Sequence, residues 1–273
     1  MMRRDPTSFV DIHSHLVPGV DDGARNVGET LDSVERMTRE GIRKIVTTPH
    51  LDGSLTRNWP LMIRRLDEVT EEFERAAEAV AGSFPEVEFR RGHEVMLDVP
   101  DPDLSDHRLR LAGSRFVLVE WPRLHLPPGT PKVLERLVNA GVRPVVAHPE
   151  RYIGIDLDVA WSWREAGAFL QVNYGTFLGR YGTAAETLAI RLLRRGWVDY
   201  LASDYHGRGG QGVSRMAACQ KIIDLGGERV LKYLCRTNPQ RILYDELPVA
   251  VPPLIPERNF WTRVREVFHP EAE

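Results

Sequence analysis

Seven short apolar runs punctuate the chain, over residues 9–15, 42–50, 87–95, 116–121, 143–148, 168–172 and 200–203. Each reads as a strand. The stretches between them have helical spacing. Leu31, Val34 and Met37 form one stripe, and residues 59–82 are charged, alanine-containing and long enough for several turns. Strand alternating with helix predicts parallel strands with the helices outside. Seven such units predict a closed or nearly closed barrel. No internal repeat or low-complexity tract interrupts the pattern. The C-terminus departs from it. Residues 247–256 are proline-rich and should be extended or irregular. After them, Phe260, Trp261, Val264, Val267 and Phe268 fall on one face of a short helix. The expected organisation is a barrel over 1–247, then a proline-rich linker and short C-terminal helix over 248–273. That helix is expected to dock on the barrel's own surface; a partner or subunit contact is the alternative.

The polar residues sit at the ends of these runs. His13 and His15 close the first, two apart, so that on a strand both face the same side. His50 closes the second, Glu94 the third, Glu120 the fourth and His148 the fifth. Asp204 and His206 follow the seventh, again two apart. In barrels of this kind the active site lies at the C-terminal ends of the strands, so these side chains would converge on one mouth. Any one of them alone could be a hydrogen-bonded structural histidine or a helix cap. Six of seven strand ends are harder to explain that way. Converging carboxylates repel unless positive charge sits among them, and divalent metal ions would supply it. Imidazole and carboxylate without thiolate fit Mn, Fe or Zn better than a structural cysteine-type zinc site. Such ions activate water and clamp the oxygens of an in-line displacement, which points to hydrolysis of a charged ester or amide.

Composition narrows the class. The chain has 273 residues, 42% of them hydrophobic, and a formal net charge of −3. Its arginines are scattered, so no basic footprint for nucleic acid stands out. No apolar stretch approaches the length of a membrane span, and the opening MMRRDPTSF lacks the apolar core of a signal peptide. Two cysteines, Cys219 and Cys235, make no disulfide framework, and a reducing cytoplasm is the expected compartment.

HSH, DDGA, TPH, GHE, VEWP, AHPERY, QVNYGTFLGRYG and SDYH, in that order, resemble the polymerase and histidinol phosphatase (PHP) superfamily. The likeness is greatest to its bacterial metal-dependent protein-tyrosine phosphatases, which act with capsule and exopolysaccharide biosynthesis kinases. The resemblance implies an α/β fold, a PHP-type distorted (β/α)7 barrel, and a centre of two to three divalent ions, with Mn favoured over Fe or Zn. It implies that His13, His15, Glu94 and Asp204 bind a first ion. Glu94 would bridge to a second, held with Glu120 and His148, and Asp22, His50 and His206 would bind a third. Arg151 would grip a phosphate oxygen, a role suited to a planar guanidinium, and Arg208, in HGRGGQG, is a second candidate. A metal-bridging hydroxide would attack phosphorus directly, with no covalent enzyme intermediate. The implied partner is a phosphotyrosine protein, a bacterial tyrosine kinase in the first instance, with no nucleic acid and with membrane proximity only through that substrate. The C-terminal helix leaves homo-oligomer formation open. Tyr174 would narrow the mouth or stack on an aromatic substrate. His93, His107, His125 and His269 match no ligand position.

Two alternatives stand beside this reading: a small-molecule phosphatase of histidinol-phosphate type, and a non-catalytic binding module for a kinase tail. An amidohydrolase is more remote, since it shares HxH but not DDGA or PERY. CRTNPQR, residues 235–241, has the C-x5-R spacing of cysteine-based tyrosine phosphatases. Its loop contains Pro239, which has no N–H to offer phosphate, so a buried structural Cys235 is expected.

Overall fold

The structure, a computed structural model, describes residues 8–207 and 212–254. Among the described residues nine parallel strands form two sheets: β1 (Phe9–Asp11), β2 (Ile42–Thr47) and β4 (Glu88–Arg91) in one, β3 (His50–Asp52), β5 (Glu94–Met96), β6 (Phe116–Glu120), β7 (Arg143–Ala147), β8 (Phe169–Asn173) and β9 (Tyr200–Ala202) in the other. The nine strands are seven passes of chain, because β2 leads directly into β3 and β4 into β5. The second pass breaks at Pro49, which has no N–H for the ladder. The third breaks at Gly92, where a Cβ would come within 2.9 Å of the Leu111 Cα. Pairing resumes after two residues on each pass, with His50 opposite Glu94. The ring closes where the extended chain after β1 meets the chain after β9: Asp204 N donates to His13 O (2.9 Å) and His15 N to Tyr205 O (2.9 Å). Asp11 ties the same seam, accepting from His13 N and from Ser203 N. Burial pushes its carboxyl up to about 6 against those hydrogen bonds.

The expected barrel is present, distorted by the break in its second and third passes. Two strand ends differ from expectation. His50 and Glu94 open new strands rather than closing old ones, because the kink falls just before each.

Six helices of nine or more residues form the outer layer among the described residues. In α1 (Val27–Arg39), Asn26 caps the N-terminus by accepting from Glu29 N, and Val34 and Met37 are buried. In α2 (Trp59–Ser83), Met62, Leu66, Val69, Ala76 and Val80 repeat at helical spacing and are buried. Then follow α3 (Thr130–Asn139), α4 (Leu157–Glu165), α5 (Thr183–Arg194) and α6 (Arg215–Asp224). Between β5 and β6 only two short 3-10 turns occur, so one helix of the regular pattern is missing there.

Period-two alternation sorts the strands. In β6, Val117 and Val119 pack with the large core layer that includes α3 and α4 residues, whereas Phe116 and Leu118 pack with Val10, Val145 and Tyr200. Glu120 continues the second face to the mouth. Val251 and Leu254 of the proline-rich stretch are buried against the large core, and Leu254 N donates to Leu193 O. The expected helix at 260–268 lies outside the described residues.

Candidate metal centre

His13 and His15 sit just past the end of β1, in chain held by the ring-closing hydrogen bonds. Their Nε2 atoms face each other at 3.2 Å, and both side chains are fully buried. Around the same point, His13 Nε2 lies 3.1 Å from Glu94 Oε2 and 3.3 Å from Asp204 Oδ1. His15 Nε2 lies 3.3 Å and 3.6 Å from the same two oxygens. Both carboxylates are buried as well.

The other five residues adjoin this group. His148 Nε2 is 3.0 Å from Glu94 Oε1 and 3.9 Å from Glu120 Oε2. His50 Nδ1 is 3.2 Å from Glu94 and 3.4 Å from Glu120. Asp22 Oδ1 lies 3.5 Å from His50 Nε2 and 3.3 Å from His206 Nε2. All nine expected ligand positions therefore fall in one continuous cluster. Its tightest groups are His15–Asp22–His50–His206, His13–His15–Glu94, His13–His148–Asp204 and His50–Glu94–Glu120. A cavity of about 390 Å³ lined by Asp21, Asp22, His50 and Arg65 opens beside it.

The surroundings fix which nitrogen faces inward. His13 Nδ1 is 2.8 Å from Gln171 Oε1 and His15 Nδ1 is 2.7 Å from Asp21 Oδ2. An amide or carboxylate oxygen at that position holds the proton on Nδ1 and leaves the Nε2 lone pair aimed at the centre, the arrangement that surrounds metal-ligating histidines. His206 Nδ1 likewise meets a carbonyl, Asp204 O, at 3.0 Å. This donor set, imidazole and carboxylate aimed at common points, fits divalent ions of the Mn, Fe or Zn type.

Electrostatics agree with a cluster that wants cations. Burial alone would raise the Glu94 carboxyl, yet the imidazoles of His13, His148 and His15 draw it well below the usual range. Burial likewise opposes the charge on Asp204, and His13 and His15 pull it down. Burial would lower His13, but Glu94 and Asp204 push it up to about 9.

The backbone also works at the site. His148 (φ 35) and Asp204 (φ 50) both take left-handed conformations as non-glycine residues, each at a cost of about 1–3 kcal/mol. The turn after His148 is pinned by Glu150. This buried carboxyl accepts from Asn173 N (3.0 Å) and from Thr176 Oγ1 (2.7 Å). Gly23 lies so close under His15 that a Cβ would collide with its carbonyl, which keeps the DDG loop folded over the cluster.

Arg151 reaches the same mouth. Its Nη1 donates to Asp204 Oδ2 (2.7 Å), and its guanidinium lies 4.5 Å from the Tyr181 ring centroid. Asn173 Nδ2 donates to the same Asp204 oxygen (2.8 Å). Arg208 lies outside the described residues.

Several expectations are corrected or extended. Tyr174 does not face the mouth: its side chain is fully buried in the large core, beyond the last residue of β8. The turn that starts there rotates it away from the candidate metal-binding cluster. Cys235 is fully buried in a helical turn (Tyr233–Thr237) of the core, and Cys219 is buried too. His93 is buried with Nδ1 on Arg108 O, and burial holds it down to about 3. His107 and His125 are exposed, and His269 is outside the described residues. Sequence reasoning missed Asp21, Gln171, Asn173 and Tyr181. The i, i+2 spacing of Gln171 and Asn173 at the end of a strand was the available signal.

Residues 9–244 match the family model for capsular polysaccharide synthesis, CpsB/CapC. The chain is 27% identical over 248 residues to the tyrosine-protein phosphatase YwqE of Bacillus subtilis, covering 90% of this chain and 95% of that protein. It is 26% identical over 248 residues to the tyrosine-protein phosphatase CpsB of Streptococcus pneumoniae, covering 88% and 100%. Among solved structures, one from the work on YwqE of B. subtilis and CpsB of S. pneumoniae, described as unique metal-dependent tyrosine phosphatases, superposes with a TM-score of 0.76 at 23% identity, over 91% of this chain and 100% of that one. The phosphotriesterase homology protein of Escherichia coli, complexed with phosphate in its active site, gives 0.54 at 15% identity, over 87% and 99%. The barrel fold is thus shared with these proteins, and the chain belongs to the CpsB/CapC family of capsular polysaccharide synthesis.

Proposed function

We propose that this protein is a metal-dependent phosphatase that hydrolyses phosphotyrosine on a protein, with a tyrosine kinase of capsule or exopolysaccharide assembly as its substrate. Among the described residues no helix is long and apolar enough to cross a membrane, and the proposed compartment is the cytoplasm. The proposed centre holds two to three divalent ions, manganese first among them, on His13, His15, Asp22, His50, Glu94, Glu120, His148, Asp204 and His206. The observation that carries this reading is the paired Nε2 atoms of His13 and His15, aimed at Glu94 and Asp204 with both Nδ1 atoms already engaged behind them. Relatives over nearly the whole chain are named tyrosine-protein phosphatases, which supports the substrate class. The barrel is proposed to span 1–247, with 248–273 as its tail.

Divalent ions in such a cluster neutralise phosphoryl oxygens and lower the pKa of water. The chain's own groups do the rest. Arg151 offers a planar fork of N–H donors at the rim, pre-set by the Asp204 carboxylate and the Tyr181 ring, where it would hold a phosphoryl oxygen in line for displacement. Arg208 is proposed as a second such group. Asn173 and Gln171 hold Asp204 and His13 in orientation. No side-chain nucleophile is required, and the buried Cys235 is not placed to serve as one. A phenolate leaves readily, so the chemistry needs no strong general acid for an aryl ester.

Phosphate release from a phosphotyrosine peptide and from histidinol phosphate, measured on the Mn²⁺-loaded protein, tests the substrate. The expected result is a higher kcat/KM for the peptide. Preference for histidinol phosphate would keep the chemistry and overturn the substrate. No turnover of either with metal bound would overturn the enzyme reading in favour of a binding module.

A further inference from the structure

A cleft of about 730 Å³ opens beside Arg151, large enough for more than the phosphorylated side chain alone. The turn after His148 and α5 form its walls. Arg151 and Tyr181 belong to it, so it is continuous with the candidate phosphate-binding group. Ile155 and Leu188 give it an apolar wall, and Ile153, at 63% exposure, adds an apolar lip. Neither of its two carboxyl groups forms an ion pair with Arg191 among the described residues. Asp156 caps α4 by accepting from Val159 N (2.9 Å), and Glu150 is buried on Asn173 N and Thr176 Oγ1. Arg191 also lines the cleft. It is exposed, and among the described residues it has no ion pair. The cleft therefore presents one uncommitted positive charge above apolar surface, next to the mouth.

We infer that this cleft seats the stretch of substrate polypeptide adjoining the phosphotyrosine, and that Arg191 selects an acidic side chain within it; the inference rests on the phosphotyrosyl-protein reading above. Anything in the cleft while a phosphoryl group meets Arg151 must lie beside that group, which makes the flanking peptide the natural occupant. An acidic residue there pairs with Arg191, while apolar parts of the peptide cover Ile155 and Leu188. Charge at an exposed rim sets preference more than raw affinity, so the effect belongs in KM.

The test compares two phosphotyrosine peptides that differ only in acidic or amide side chains beside the tyrosine, together with a small aryl phosphate. They are assayed on the Mn²⁺-loaded wild type, Arg191→Ala and Arg191→Glu. The wild type should prefer the acidic peptide by about two- to fivefold in KM, the range of an exposed ion pair. Arg191→Ala should abolish the preference and Arg191→Glu reverse it, with kcat and all small-substrate kinetics unchanged. The preference should shrink in high salt. If the aryl phosphate turns over normally but Arg191→Glu still favours the acidic peptide, the inference alone is overturned. If neither peptide nor aryl phosphate turns over in the wild type, the phosphatase reading fails and takes the inference with it.

Discussion

His15 Nδ1 lies 2.7 Å from Asp21 Oδ2, on the side of the ring away from the candidate metal-binding cluster. Asp21 is held in turn: its Oδ1 accepts from Gly23 N (2.9 Å) and its Oδ2 from His50 N (3.2 Å). One carboxylate thus sets the orientation of a proposed ligand and ties down the loop that carries another, Asp22.

Removing Asp21 should therefore weaken metal binding without unfolding the barrel. Asp21→Ala is expected to lower metal affinity or activity about 10- to 100-fold, the usual cost of losing a partner behind a metal ligand. Equilibrium dialysis against Mn²⁺, with far-UV circular dichroism as the fold control, checks it. Wild-type affinity in this variant would mean that Asp21 does not hold His15 in a metal-binding orientation.

Arg151 rests over the Tyr181 ring at 4.5 Å, while the Tyr181 hydroxyl lies 3.3 Å from Asn173 Nδ2. Gly179 (φ 73) and Gly182 (φ 87) shape the turn that presents this ring. Tyr181→Ala should raise KM for a small aryl phosphate about two- to fivefold, as expected for loss of a partly exposed cation–π contact. Tyr181→Phe keeps the ring and should stay near wild type. Equal loss in both variants would assign the effect to the hydroxyl instead.

Metal removal should also cost stability. A ligand held only by the folded state stabilises it by about 2.7 kcal/mol at 100 times its Kd. For a chain of this size that corresponds to about 5 °C in Tm. Calorimetry of chelator-stripped protein before and after Mn²⁺ addition reads the shift directly. No shift at saturating metal would argue against binding by the buried cluster.

The barrel and the ligand types were legible in the sequence for a physical reason. Parallel strands buried on both faces are continuous apolar runs, so a His, Glu or Asp at the end of one stands out, as His148 does after VVA and Glu120 after VLV. What pattern could not show was which way side chains turn once a strand ends. Tyr174 follows Asn173 by one residue, yet it faces the core and Asn173 faces Asp204. The break at Gly92 depends on close backbone approach to Leu111 from another pass, which no local window records. Asp21 was hidden beside Asp22, since adjacent aspartates carry the same signal and only the fold gives them different partners. Gln171 and Asn173 were hidden because amides do not announce chemistry by themselves.

The most direct test of the central claim follows phosphate release from a phosphotyrosine peptide as Mn²⁺ is returned to chelator-stripped protein. Wild type, His148→Ala and Cys235→Ser are compared. Turnover should be absent without metal and should rise with bound Mn²⁺ in wild type and in Cys235→Ser, whose side chain is buried away from the cluster. It should be lost in His148→Ala, whose imidazole meets Glu94 at 3.0 Å. Turnover that persists in stripped protein, or that disappears only in Cys235→Ser, would contradict the account.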